Sequence, residues 1–235
     1  MAPQKLRKKV RKKPSVGRRG KGRAPLVHEG RALFCTARFE DEARASGYLS
    51  VAGLDEVGRG ALCGPVVAGA AILGEGFDTD GLDDSKRLTR AQRERLSERI
   101  RAHARAWALG FAEVEEIDRL NILRATHLAM RRALLALRVK PDLVLVDGRE
   151  AALAGFEQRP IVKGDALSVS IAAASIVAKV ARDGIMRECD QRFPGYGLAE
   201  NVGYASEGHR DALRRLGPSA IHRRSFAGLN QLSLF

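Results

Sequence analysis

The chain has 235 residues, 45% of them hydrophobic, and a formal net charge of +13, a size and composition that suit one α/β domain with a full core plus appendages. No apolar run reaches the ~18 residues a membrane helix needs, and three cysteines without metal-ligand spacing argue against a disulfide framework and a zinc site and fit a reducing, cytoplasmic setting. The charge excess is local: eleven of the 41 Lys and Arg fall within residues 1 to 28, where there is no acid, and the rest nearly balance the 28 Asp and Glu.

Residues 1–30 are therefore read as a disordered polybasic tail. Such an arm gains affinity for phosphates by releasing counterions, whatever the nucleic-acid sequence. It lacks the apolar segment of a secretory signal, although its Arg-rich, acid-poor composition is also that of a transit peptide. From Arg31 to Ser46 apolar residues recur at helical spacing, predicting a helix that feeds a first strand at 49–55. The continuous apolar run at 65–73 predicts a strand buried on both faces. Thr89-Arg90-Ala91-Gln92 reads as a capping box that opens a charged helix to about His103.

Ala104 to Phe111 reads as a strand, and Glu115 to Arg138 as one long amphipathic helix stopped before Pro141. A short buried strand at Asp142 to Asp147, another at Gln158 to Val162, a long helix from Leu167 to about Arg192 and a last helix from Ser206 to Leu216 complete the series. This alternation predicts an α/β domain over residues 31–226, with a central mixed sheet flanked by helices. No internal repeat interrupts it.

Several acids stand where chemistry could occur. Asp55 and Glu56 close an apolar run and are followed at once by Gly58-Arg59-Gly60, so two carboxylates able to hold hard cations lie beside a bare backbone. Successive strand residues face opposite ways, so the two converge only if the strand ends or twists between them. Asp147 ends an apolar strand and precedes Gly148, a place where α/β sheets put ligands; alone, it is equally a turn-forming Asp-Gly. Asp165 precedes the long helix and alone reads as a first-turn acid. At 100° per residue, Ser168, Ser175, Lys179 and Arg182 project within about 60° of one another, a hydroxyl-and-cation stripe suited to phosphates.

The segments DEVGRG (55–60), DSKRLT (84–89), LVDG (145–148), KGD (163–165), IAAASIVAKVARD (171–183) and GYG followed by GY (195–197, 203–204) stand in the order and approximate spacing of type 2 ribonuclease H. The chain resembles that family from about Phe39 to Phe226. The resemblance implies a ribonuclease H-like fold that cuts the RNA strand of RNA–DNA hybrids and incises duplex DNA at embedded ribonucleotides, using Mg²⁺ or Mn²⁺. It implies that Asp55, Glu56, Asp147 and Asp165 bind the metal ions, and that Gly58, Arg59, Gly60 and Tyr204 recognise the ribose-to-deoxyribose junction. Lys86 is expected to meet phosphate on the same ground. Asp183 is a rival fourth carboxylate, but its neighbours Lys179, Arg182 and Arg187 favour a helix salt bridge. His209 is a candidate for proton transfer, against the ordinary structural role of a helix histidine. The sequence departs from the family pattern at Val202, where a lysine often precedes Gly-Tyr, and at Ala205 to His209, which replace the commoner Pro-Thr-x-Glu-His.

Residues 227–235 end in Gln231-Leu232-Ser233-Leu234-Phe235, which resembles the short peptide by which bacterial replication and repair enzymes grip the sliding clamp. In that resemblance Gln231 is the anchor and Leu232, Leu234 and Phe235 fill an apolar pocket. The chain is otherwise expected to be monomeric and to have no membrane partner. Two rival readings are a type 3 ribonuclease H, which the basic, apolar-poor N-terminal segment disfavours, and a non-catalytic RNA-binding protein acting through its arm.

Overall fold

A computed structural model describes residues 26–28, 31–33, 35–149 and 153–226. The bulk of the polybasic segment and all of the clamp-like peptide lie outside those residues. Two short strands, β1 (Leu26–His28) and β2 (Arg31–Leu33), pair antiparallel, and the first helix, α1, covers only Arg38–Ala45. The helix expected from Arg31 is thus corrected. Glu29-Gly30 between two short runs is a hairpin signal that the helical spacing overrode.

The body is a five-stranded sheet in the order β5 (Ala106–Ala112), β4 (Val66–Ile72), β3 (Val51–Val57), β6 (Leu143–Asp147), β7 (Gln158–Ile161). The first two pairings are antiparallel and the last two parallel. β4, the continuous apolar run, is buried along its whole length, as its composition predicts. On one face lies α4 (Ile122–Leu135), over a core that includes Ala52, Leu54, Val144 and Val146. On the other lies α5 (Val169–Arg192), beside Val51, Leu143, Leu145 and Ile171. α2 (Arg90–His103) packs on α5, and its Thr89–Gln92 capping box forms as the sequence predicts.

The long helix expected from Glu115 to Arg138 is two helices, α3 (Val114–Leu120) and α4. Asn121 between them has φ 70°, and its side chain accepts the N–H groups of Leu123 and Arg124 at 3.0 and 3.1 Å. Asn tolerates this left-handed backbone and caps the new helix in one step, so the amphipathic pattern runs on while the chain does not. α6 (Leu198–Asn201) and α7 (Glu207–Leu216) close the domain.

α5 lies directly on the sheet backbone. A Cβ on Gly53 would stand 2.0 Å from the Ser170 carbonyl carbon, so only glycine allows this approach. The small residues Ala172, Ala173 and Ala174, all fully buried, continue the close contact. The helix thus crosses the sheet with Ser170 on Gly53 of β3, Ala174 on Gly69 of β4 and Arg182 beside Gly58, just past the end of β3.

Candidate active site

Strand parity and register assemble the acidic cluster. Parallel pairing of β3 with β6 ends at Leu54 opposite Val146, which brings Asp55 and Asp147 next in line on neighbouring strands. Leu54 and Val146 face α4, so Asp55 and Asp147 face α5. Asp165 joins them from the short 3₁₀ turn Gly164–Ala166 that leads into α5. One carboxylate oxygen from each of the three lies within 4.8 Å of the others.

Glu56 falls on the opposite parity. β3 continues through Val57, with Glu56 paired opposite Ala68, so the break expected between Asp55 and Glu56 does not occur. Three carboxylates meet, and Glu56 borders the same cleft while its carboxylate accepts from Arg59 at 3.0 Å.

The cluster is electrostatically costly as it stands. Burial, then the charges of Glu56 and Asp147, push Asp55 well above the usual carboxylate range. Asp147 is pushed up to about 6, by burial first and then by Asp165, even though the Gly164 N–H donates to its Oδ1 at 2.6 Å. The Lys86 ammonium stands 3.0 Å from Asp165 Oδ2 and 3.8 Å from Asp84, and so supplies part of the missing positive charge. Hard oxygen donors, buried and mutually repelling, fit a divalent cation such as Mg²⁺ or Mn²⁺.

A cleft of about 440 Å³ opens from this cluster. Asp55, Glu56, Asp147, Lys86, Ser175, Lys179, Gly58, Arg59, Gly60 and Tyr204 all line it. Ser175 contacts Ser85 at 3.0 Å, and Lys179 pairs with Asp183 at 2.8 Å, the helix salt bridge expected of that acid.

The α5 stripe divides. Ser168 and Arg182 are fully buried and do not border the cleft. Ser168 caps α5 and donates to Glu40 at 2.5 Å. Arg182 donates to the carbonyls of Pro65, Val202 and Cys63 at 3.0, 2.8 and 3.1 Å. The Ser168 hydroxyl and three of the five Arg182 N–H groups are engaged within the chain, and the structure places both side chains away from the cleft. The surface that covers the two ends of the stripe comes from other elements and is not visible in one helix.

A second buried guanidinium, Arg223, was missed altogether. It donates to the carbonyls of Arg59, Ala61 and Gly64 at distances from 2.7 to 3.0 Å. Together the two arginines hold the loop that follows β3. Gly58 in that loop has φ 91°, and a Cβ there would stand 2.1 Å from Arg182 Nε. Glycine is therefore required by backbone conformation and by space. The signal for Arg223 was present as His222-Arg223-Arg224 following Gly217-Pro218, but adjacent cations ordinarily read as a solvated surface. His209 and His222 are buried as well and contact each other, so His209 is no lone helix histidine.

Comparison with known proteins agrees with this geometry. The Ribonuclease HII family model matches residues 52–229. A ribonuclease HII from Myxococcus xanthus (strain DK1622) is 52% identical over 204 residues, covering 86% of this chain and 70% of the relative. The crystal structure of ribonuclease H2 from Pyrococcus horikoshii OT3 superposes with a TM-score of 0.68 at 27% identity, over 78% of this chain and 97% of that one. The ribonuclease HII in the PCNA complex from Archaeoglobus fulgidus has a TM-score of 0.64 at 26% identity, over 74% and 94%. With three aspartates gathered on one sheet face beside a glycine loop and a tyrosine, the chain belongs to the ribonuclease HII family of metal-dependent endoribonucleases.

Proposed function

We propose that this chain hydrolyses the RNA strand of RNA–DNA hybrids and incises duplex DNA on the 5′ side of an embedded ribonucleotide, leaving a 3′-hydroxyl and a 5′-phosphate. Its place would be ribonucleotide removal and RNA-primer processing in the cytoplasm, as a monomer. The observation that carries this reading is the meeting of Asp55, Asp147 and Asp165, the first two lining a cleft that Gly58, Gly60 and Tyr204 also line.

Asp55, Asp147 and Asp165, with Glu56 at the border, would hold Mg²⁺ or Mn²⁺. Two divalent ions bound there would stabilise the departing 3′ oxygen and lower the pKa of the attacking water. The chain's own residues do the rest. Reading one ribose requires contact with its 2′-hydroxyl, which donates and accepts. At Gly60 the sugar can approach without a Cβ in the way, Gly58 being the glycine that lets the loop pack on Arg182, and the part-exposed ring of Tyr204 stands 3.8 Å from the place a Gly60 Cβ would occupy. Lys86 and Lys179, both on the cleft, would meet phosphate.

Residues 1–28 would add sequence-independent affinity through their cations. Removing them should flatten the salt dependence of binding and leave the cleavage position unchanged; an unaltered salt slope contradicts that role. Gln231, Leu232, Leu234 and Phe235 would dock on the bacterial sliding clamp, raising the enzyme's effective concentration on DNA. The Archaeoglobus relative seen with PCNA supports a clamp partner. The deciding assay uses a DNA duplex carrying one ribonucleotide, with and without divalent ions. A metal-dependent nick 5′ of the ribose is expected; no nick, or equal cutting of an all-DNA duplex, contradicts the reading.

A further inference from the structure

Tyr204 stands in the short turn between α6 and α7, yet three successive carbonyls there each meet a donor. Val202 O accepts from Arg182 Nη1 at 2.8 Å, Gly203 O from the Leu62 N–H at 2.8 Å, and Tyr204 O lies 2.9 Å from His209 Nδ1. Val202 itself has φ 44°, a left-handed backbone that a β-branched residue adopts only under external constraint.

The third of these contacts depends on a second histidine. The Ser219 N–H donates to His222 Nδ1 at 3.0 Å, which makes that nitrogen an acceptor and leaves the ring proton on Nε2. His222 Nε2 lies 3.1 Å from His209 Nε2, so His222 donates and His209 accepts. The proton of His209 is then on Nδ1, where it donates to the Tyr204 carbonyl. One chain of hydrogen bonds thus runs from Ser219 through both rings to the tyrosine backbone, and each tautomer is fixed by the next partner.

We propose that His209 and His222 are positioning residues, a neutral and tautomer-locked relay that fixes the backbone at Tyr204 and with it the ring at the mouth of the cleft. This inference rests on the reading of Tyr204 as the aromatic that covers the ribose. The relay is also joined to the other side of the ribose site. His222 bridges to Cys63, and the main chain on either side is bonded from Gly64 N to Ile221 O and from Arg223 N to Leu62 O, at 2.9 Å each.

The surroundings favour neutral rings. Around them stand the Cys63 thiol and the Tyr196 ring, 5.0 Å from His222, and among the described residues no carboxylate is hydrogen-bonded to either ring. Burial pulls His209 below its ordinary value and, with His209 as neighbour, takes His222 to about 4. Cys63 could make this trio a metal site by proximity, since ligand atoms of all three lie within 4.8 Å. The Ser219 bond opposes that use, because it leaves His222 Nε2 protonated, and burial pushes the Cys63 thiol up to about 12.

Two measurements on the full chain test the relay. Long-range proton–nitrogen NMR at pH 7 should show His209 as the Nδ1–H tautomer and His222 as the Nε2–H tautomer. The reverse tautomer at either ring, a charged ring, or a shift on adding zinc would overturn the relay, and none of these depends on activity. The second measurement compares cutting of a single-ribonucleotide duplex with cutting of a long hybrid. His222→Phe should lower the preference for the single ribonucleotide by about tenfold, the scale of one lost buried hydrogen bond, and His222→Gln, which can still donate, should restore part of it. In a Tyr204→Ala background His222→Phe should cost nothing further; additive losses would mean a merely structural role and overturn the proposal. If the unaltered enzyme shows no cutting at ribonucleotides, the functional reading fails while the tautomers still judge the relay.

Discussion

The two sides of the cleft are built on opposite electrostatic terms. On the metal side, Asp55, Asp147 and Asp165 are forced together by strand register and the turn into α5, with the Lys86 ammonium and the Gly164 N–H as partial offsets. On the ribose side, buried Arg182, Arg223 and His209 meet the carbonyls of Arg59, Ala61, Cys63, Gly64, Pro65, Val202 and Tyr204. The first region stores repulsion that a divalent ion relieves. The second is satisfied within the chain and so holds its shape before substrate arrives. A hydrolase of this kind needs both, an unsatisfied site for ions and a rigid one for reading a sugar.

Substitutions on each side sharpen the contrast. The largest effect is expected from Asp147→Asn, which removes one carboxylate from the cluster. Turnover should fall on the order of 10³-fold while hybrid affinity is kept. A steady-state assay beside a binding titration checks this, and a silent RNA-binding protein would show no change in either.

Next comes Arg223→Met on the satisfied side. It leaves the carbonyls of Arg59, Ala61 and Gly64 without their buried donor, at a cost of more than about 3 kcal/mol. The midpoint of urea unfolding reports it; a loss under 1 kcal/mol, by the order-of-magnitude scale of such bonds, would show that the loop is held by other means.

The metal side should respond in the reverse sense to pH. Asp147 has a folded value of about 6 against 3.8 for the free side chain, so the folded state binds the extra proton. Without metal, its contribution to stability is therefore most favourable below about pH 4 and is lost as pH rises through about 6. Metal-free Asp147→Asn should accordingly be more stable than the parent at pH 8, by on the order of 2 kcal/mol, and match it near pH 4. Thermal melts in chelator across that range provide the check.

The smallest effect belongs to Lys86→Ala. The side chain is 76% exposed despite its ion pair with Asp165, so stability should change by less than about 1 kcal/mol.

Much of the metal side was legible because it depends on local patterns. Asp55 closes the apolar part of β3, Asp147 ends β6, and Asp165 stands in the turn that opens α5, so their placement follows from hydropathy breaks and element boundaries. Glu56 was harder, since adjacency in sequence suggests one site whereas strand parity sends neighbours to opposite faces. The ribose side was hidden for a different reason. Arg182 reads as a cation for phosphate and Arg223 belongs to no motif, because charge ordinarily lies outside and the partners of both are carbonyls, which every residue carries and no sequence pattern marks. The break at Asn121 escaped likewise, because the amphipathic period continues across it.

The central claim is that three aspartates on the α5 face form a seat for divalent ions, and a calorimetric titration of Mn²⁺ into the full chain at pH 8 tests it most directly. Saturable binding by the parent, absent or strongly weakened in Asp147→Asn, is the predicted result. Equal binding by both proteins, or none by the parent, would contradict it.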